Sequence, residues 1–339
     1  MTVLPPGAAT PLASAEQILE RLFKPTGVPG VHIRSGAYED IVEALGRFIT
    51  RLRPEGAEVY RAPPVVSRAL IEKAGYLKSF PHLLGCVCAL SGGEAQIEAA
   101  VDRFASGAGR WTDDVEATDL LLAPAACYPI YPIAAELGTT PPQGFVFDIA
   151  GDCFRREPSQ DIDRLQSFRM REFVAVGGPE AIQAFRESWI ARAPEIAGAL
   201  GLPHRIEAAS DPFFGRIGQM IGRFQVAQSL KFELLIPVRS AQSPTACMSF
   251  NYHRDQFGLT WDIRTSDGEA AHTACVAFGL DRLAVALFAT HGVEARQWPE
   301  AVRRALGLYP GQTYSAALIR TPSAGMASLF GARAGISKP

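Results

Sequence analysis

Residues 144–176 read GFVFDIAGDCFRREPSQDIDRLQSFRMREFVAV, and the reading of this stretch decides the fold. Two β-like runs, Gly144–Phe154 and Leu165–Val176, flank a charged loop from Arg155 to Asp163, which is the pattern of an antiparallel pair. Strand side chains alternate between faces, so Arg164, Gln166, Phe168 and Met170 are expected on one face with Glu172. Downstream, Pro179–Leu200 reads as an amphipathic helix stopped by Gly201 and Pro203, Arg205–Ala209 as a strand and Arg216–Leu230 as a helix. Strands are then expected at Phe232–Val238, Ala246–Tyr252, Leu259–Arg264 and Ala271–Phe278, before a helix at Leu280–Thr290.

Upstream, helices are expected at Ala15–Phe23, at Gly36–Arg53, from Pro63-Pro64 to Ala74 and at Glu94–Ala105. Extended segments are expected at Val59–Arg61, Leu83–Leu90 and Asp119–Ala123. Adjacent strands with inserted helices, without strict βαβ alternation, predict an α+β fold built on a mostly antiparallel β-sheet flanked by helices. Neither repeats nor a long linker interrupt the chain. The simplest division is an N-terminal extension with helices (1–58), a catalytic-size domain (59–310) and a tail (311–339) rich in Ala, Gly and Ser.

Composition narrows the class. The 339 residues carry 33 Lys+Arg against 35 Asp+Glu, a net charge of −2 that gives no global pull toward nucleic acid or an anionic membrane. Hydrophobic residues at 47% exclude a disordered chain. Six cysteines without a C-x-x-C pair exclude a disulfide scaffold and the common zinc ribbons. The opening MTVLPPGAATPLASAEQ lacks a basic and then apolar leader, and its Pro, Ala and Gly suggest an unstructured lead-in. The apolar run Ala274–Thr290 is interrupted by Asp281 and Arg282 and is too short to span a bilayer. These features predict a soluble, cytoplasmic protein with reduced thiols and no membrane partner.

Two segments carry chemistry. Cys153-Phe154-Arg155-Arg156-Glu157 with the following Arg164–Phe173 aligns guanidinium donors, an aromatic face and a carboxylate, groups suited to phosphate and nucleobase. In Ala277-Phe278-Gly279-Leu280-Asp281-Arg282-Leu283-Ala284 a strand becomes a helix at a glycine, with Arg282 in the first turn. Each alone is also what an exposed arginine-rich hairpin or an ordinary helix start would look like.

Together, FRRE with RLQSFRMREF resembles motif 2 of the class II aminoacyl-tRNA synthetases, and GLDRLAVAL resembles their motif 3. Arg61-Ala62-Pro63-Pro64-Val65-Val66, followed by Gly75–Pro81, is similar to motif 1, whose proline lies at the dimer interface, so a homodimer is implied. The pattern is most similar to seryl-tRNA synthetases of the zinc-dependent methanogen type, over roughly Val59 to Thr290. A large N-terminal tRNA-binding domain of that family has no counterpart in residues 1–58, and such a shortened homologue resembles the amino acid:[carrier protein] ligases. Asp211–Arg216, Lys231–Pro237, Ser249–His253 and Asp255–Gly258 fit the same family.

The resemblance implies ATP-dependent activation of a small amino acid, glycine or alanine, to an aminoacyl-adenylate. Transfer to the phosphopantetheine thiol of an acyl carrier protein would follow, with no tRNA. It gives Arg155 the α-phosphate, Glu157 the adenine or ribose end, Phe168 the ring, Arg164 the β- and γ-phosphates and Arg282 the opposite side of the nucleotide. Leu165, Lys231, Ala246 and Ser249 complete the implied ATP contacts. Cys127, Glu172 and Cys275 align with zinc ligands, leaving a fourth position for the substrate amine. Cys86, Cys88, Cys153 and Cys247 are expected to be packed thiols, and His253 a hydrogen-bonding residue.

Magnesium is implied with ATP, yet Thr245–Ser249 lacks the acid that seryl enzymes place there, so its ligands stay open. The predicted helix Arg216–Leu230 is the candidate carrier-docking element, because Arg216 and Arg223 are two turns apart on one face. Alternatives are a minimal seryl-type tRNA synthetase and a silent synthetase paralogue acting as a sensor. The latter would be marked by loss of Arg155, Arg164 or Arg282, all of which are present.

Overall fold

The computed structural model describes residues 13–309. The expected lead-in and the tail beyond Pro310 lie outside the described residues, apart from the last few positions of the lead-in.

The N-terminal elements are α1 (Ala15–Leu22), the short strands β1 (Phe23–Pro25) and β2 (His32–Arg34), and α2 (Gly36–Leu52). Ser14 and Gln17 form a reciprocal capping box on α1, and the Ser35 hydroxyl accepts from Tyr38 N at the start of α2. Helix α2 buries Tyr38, Ile41, Leu45 and Phe48 along one stripe, the i, i+3, i+4 spacing of an amphipathic helix. Strands β3 (Glu58–Ala62) and β4 (Val65–Ser67) follow, then the short helices α3 (Arg68–Lys73) and α4 (Tyr76–Ser79). Next come β5 (Cys86–Leu90), α5 (Glu94–Ala105), β6 (Val115–Leu122) and α6 (Ile130–Glu136).

The decisive stretch is the hairpin-like pair β7 (Phe145–Phe154) and β8 (Ser167–Gly177), in register from Phe145 opposite Val176 to Phe154 opposite Ser167. Gly144 enters β7 at φ +77°, where a Cβ would stand 2.7 Å from the Val176 carbonyl oxygen, so only glycine fits that corner. Helix α7 (Pro179–Ala199) starts on proline, then β9 (Arg205–Ala208), α8 (Gly215–Ala227), β10 (Lys231–Ile236) and β11 (Thr245–Arg254) follow. The described chain closes with α9 (Gln256–Trp261), β12 (His272–Gly279), α10 (Leu280–His291) and α11 (Glu300–Leu306).

Seven strands form one sheet in the order β3-β7-β8-β12-β11-β10-β9, antiparallel except for the β3–β7 pair. The expected α+β architecture is therefore present. Helices α2, α7 and α10 cover one face, where Phe173, Trp189, Phe250 and Phe278 are fully buried. Because β8 and β12 are central, their C-terminal halves read as continuous apolar runs and are buried on both faces. Residues from α1 and α2 share that core, so the N-terminal helices are built into the catalytic fold. The opposite face carries α6 and α9 at one end and is open at the other. A separate three-stranded sheet, β4-β6-β5, lies to the side.

Three expectations are corrected. Leu259–Arg264 is not a strand: Gln256–Trp261 is helix α9, Gly258 packs against the Ala271 backbone with no room for a Cβ, and Leu259 faces outward. Pro63-Pro64 does not open a helix, because a residue before proline is held extended; Val65–Ser67 instead pairs with β6, and helix begins at Arg68. Cys86 and Cys88 are not core thiols but exposed groups of β5, on the side sheet.

Candidate active site

One face of β8, β12, β11 and β10 floors a cavity of about 560 Å³. Directly opposed residues of antiparallel strands share a face. Thus Glu172 opposite Ala277, Cys275 opposite Asn251, Ser249 opposite Ala277 and Lys231 opposite Asn251 all belong to one side of the sheet. Every residue expected at the nucleotide and metal ends, from Cys127 to Arg282, lines this cavity; Arg216 and Arg223 do not. The alternation expected in β8 holds for Phe168, Met170 and Glu172, whereas Gln166 turns away to donate to the Pro29 carbonyl.

At one end sit two arginines. Arg155 follows the last residue of β7, its Nε donating to Pro124 O at 3.0 Å and its guanidinium 5.5 Å from the Phe168 ring centroid. Arg282, in the first turn of α10, donates to Asp163 O and Ala246 O at 3.0 and 3.1 Å. Burial, and then the positive charge of Arg155, pull Arg282 below its ordinary value. Two guanidinium groups near enough to repel in one cavity favour an anion between them. Arg164 and Glu157 form an ion pair at 3.4 Å at the rim.

Lys231 is placed differently from a free phosphate ligand. Its ammonium holds Asp211 at 2.6 Å and Glu233 at 3.0 Å, and Asp211 also accepts from Gln225 of α8. Glu233 lies directly across from Ser249. An acid absent upstream of Ser249 on its own strand is thus present on the neighbouring strand.

At the other end are Cys127, Glu172 and Cys275, all buried, with candidate ligand atoms within 4.8 Å of one another. Cys127 lies in the loop before α6, and the other two come from adjacent central strands. Glu172 Oε1 accepts the backbone N–H groups of Ala126 and Cys127 at 2.9 and 3.0 Å, which fixes the carboxylate against the loop. Asn251 Nδ2 lies 3.3 Å from Cys275 Sγ, and His253 Nε2 lies 3.9 Å from it. The other nitrogen of His253 meets Thr273 Oγ1 at 3.0 Å, so this histidine is a hydrogen-bonding residue, as its sequence context suggested.

Burial beside these thiols pushes Glu172 up to about 8. The Cys275 thiol is drawn down by the hydrogen bond from Cys127, which keeps its proton and is pushed up. Two soft sulfur donors and one oxygen, confined and costly to leave bare, suit a tetrahedral zinc ion with one position open. Cys247 is a buried thiol, as expected.

Helix α8 borders the cavity with an inverted pattern. Its small residues Gly218 and Gly222 face inward against Phe213 and Ser210, while Ile217 and Met220 are 75% and 69% exposed. Ile221 and Phe224 line the cavity mouth, and Arg216 and Arg223 are exposed on the same helix. Asn251, Tyr128 and Tyr131 also line the cavity; the sequence named Asn251 only within a motif and offered no signal for the tyrosines.

Two proteins of Bradyrhizobium diazoefficiens, amino acid--[acyl-carrier-protein] ligases 2 and 1, are each 58% identical to this chain, covering 89–90% of it and 90–92% of themselves. The chain belongs to this ligase family. Type-2 serine--tRNA ligase of Methanopyrus kandleri is 26% identical over 54% of the chain, which spans only 37% of that protein. Among solved structures, M. kandleri SerRS in complex with A. aeolicus tRNASec superposes with a TM-score of 0.71 at 20% identity, covering 84% of this chain and 58% of that one. Pyrococcus horikoshii seryl-tRNA synthetase complexed with ATP gives 0.62 at 16%, covering 88% of this chain and 63% of that one. These likenesses establish the class II synthetase fold. No protein-family model matches the chain. Among the described residues, no helix is long and apolar enough to cross a membrane.

Proposed function

We propose that this ligase condenses a small amino acid with ATP and passes the aminoacyl group to the phosphopantetheine thiol of an acyl carrier protein. The observation that carries the reading is the joining, in one cavity, of the Arg155–Arg282 pair with the Cys127, Glu172 and Cys275 cluster. An anion held by the first and an amine held at the second span an amino acid whose carboxylate meets the α-phosphate.

In the first step a carboxylate oxygen attacks the α-phosphorus, and pyrophosphate leaves with the electron pair of the broken P–O bond. Arg155 neutralises charge growing on the α-phosphate, and Arg282 binds the nucleotide from the other side. Phe168 stacks on adenine, Glu157 meets the adenine or ribose end and Arg164 reaches the β- and γ-phosphates. Leu165 and Ala246 shape the nucleotide pocket. Ser249, with Glu233 opposite, offers oxygen ligands for the magnesium that accompanies ATP. Lys231, already neutralised by two carboxylates, reaches the nucleotide with its remaining N–H donor.

Cys127, Glu172 and Cys275 would hold a zinc ion, which would supply a Lewis acid for a free amino group. In the second step the carrier thiol attacks the acyl carbon, AMP departs with the C–O electron pair, and the thiol proton is released. Glycine and alanine are the substrates implied by the family resemblance.

Helix α8 is the carrier-docking element in this reading. Arg216 and Arg223 would meet acidic carrier residues, and the exposed Ile217 and Phe224 beside the cavity mouth would meet apolar ones. A net charge of −2 gives the chain no global electrostatic pull toward tRNA, in keeping with a carrier-protein acceptor. The enzyme is proposed to act in the cytoplasm as a homodimer, which light scattering would register as twice the chain mass. Amino-acid-dependent exchange of labelled pyrophosphate into ATP tests the activity. Exchange with glycine or alanine is expected, and none with any small amino acid would overturn the reading.

A further inference from the structure

The search outside the roles above leads to Tyr76. Its ring opens α4 directly after Gly75 and packs edge-on against Tyr128 at 5.7 Å and tilted on Phe80 at 5.1 Å. Tyr76 is only 4% exposed and lines the cavity, yet its hydroxyl has no hydrogen-bond partner in the protein. A buried hydroxyl left unpaired is costly and rare, and at a cavity wall it marks a place where a ligand atom completes the bond.

The position narrows what that ligand is. Phe80, the neighbour of Tyr76, stacks on Phe213 at 5.0 Å, and Phe213 is the residue on which Gly218 of α8 rests. Phe214 N donates to Ser79 O at 2.9 Å and its ring stacks on His82, so α4 and the foot of α8 form one wall. The same cavity continues past Tyr76 to Arg155. Tyr76 therefore stands between the helix that would receive the carrier and the place where the adenylate would form. Burial holds its phenol protonated, at about 12, so it serves as a hydrogen-bond donor and not as a base.

We propose that Tyr76 positions the thiol-bearing arm in the second half-reaction by donating a hydrogen bond to an amide carbonyl of pantetheine. This rests on the transfer reaction proposed above. It adds no step of its own: sulfur still bonds to the acyl carbon, AMP still leaves, and Tyr76 keeps its proton.

The test is Tyr76→Phe, which keeps the ring contacts and removes only the hydroxyl. Three rates are compared with wild type, using whichever small amino acid supports exchange: ATP–pyrophosphate exchange, acyl transfer to free pantetheine, and acyl transfer to 2-mercaptoethanol, which has no amide. Expected are exchange and mercaptoethanol transfer within twofold of wild type, a loss of tenfold or more in kcat/KM for pantetheine, and a Tm that does not fall. Pantetheine transfer within twofold of wild type would overturn the proposal. So would a parallel loss in exchange or in mercaptoethanol transfer, which places the hydroxyl at the reacting centre. Misfolding of the variant would contradict the unpartnered hydroxyl on which the proposal stands, and would overturn it too. Absent exchange in the wild type would instead defeat the proposed function itself.

Discussion

Removing metal from the enzyme and scanning pH isolates the consequence of burying Glu172. This carboxyl is 1% exposed, and burial, followed by the charge of Cys275, raises it from an ordinary 4.5 to about 8. In the metal-free protein the folded carboxyl keeps a proton that the unfolded chain has already lost. Its contribution is fully present below about 4.5 and drains away as pH rises toward about 8. At about 1.4 kcal/mol per pH unit, that interval is worth roughly 5 kcal/mol, or about 10 °C of Tm for a chain of this size. Zinc bound at this site would reverse the sign, because it would take the deprotonated ligands and stabilise the fold more as pH rises. The assay is thermal unfolding of chelator-treated protein between pH 5 and 8, with and without zinc, beside a Glu172→Gln variant. The glutamine oxygen can keep the two N–H bonds from Ala126 and Cys127 but has no proton to lose in this range. The metal-free wild type should lose Tm relative to the variant as pH rises. Parallel curves for the two proteins would refute the reasoning.

Other outcomes follow from the same geometry. Arg155→Ala should lower pyrophosphate exchange by about 10²–10³-fold, the cost of removing a donor aimed at developing charge, with the fold intact by circular dichroism. Cys275→Ala should purify without stoichiometric zinc in metal analysis; retention of one zinc per chain would refute the ligand set. Replacing Ile217 and Phe224 of α8 with glutamate should raise the KM for the carrier protein at least tenfold while leaving exchange unchanged.

The parts legible in the sequence were those where local pattern and tertiary role agree. The β7–β8 pair shows its strands because Phe145–Phe154 and Ser167–Gly177 are rich in β-forming residues on either side of a polar loop. Helix α2 shows its apolar stripe for the same reason. Arg155 and Arg282 stand at strand–loop and strand–helix junctions that the sequence marks. Cys127, Glu172 and Cys275 carry no such mark: they come from a loop and two strands, and only the family resemblance brought them together before the sheet register did. Gln256–Trp261 misleads because its β-forming residues sit in a helix fixed by the close approach of Gly258 to Ala271. Helix α8 was legible as a helix bearing Arg216 and Arg223, but its inward face was not, since Gly218 and Gly222 carry no apolar signal and only the packing against Phe213 and Ser210 turns them inward. Exposure of Cys86 and Cys88 depends on the side sheet, whose placement no local pattern encodes.

The central claim is transfer to a carrier thiol, and one incubation tests it most directly. Enzyme, ATP, labelled glycine or alanine, bulk tRNA and a phosphopantetheinylated carrier protein are combined, and label is followed into each acceptor. The account predicts label on the carrier, released by hydroxylamine, which cleaves the aminoacyl thioester, and none on tRNA. Label on tRNA with none on the carrier would contradict it.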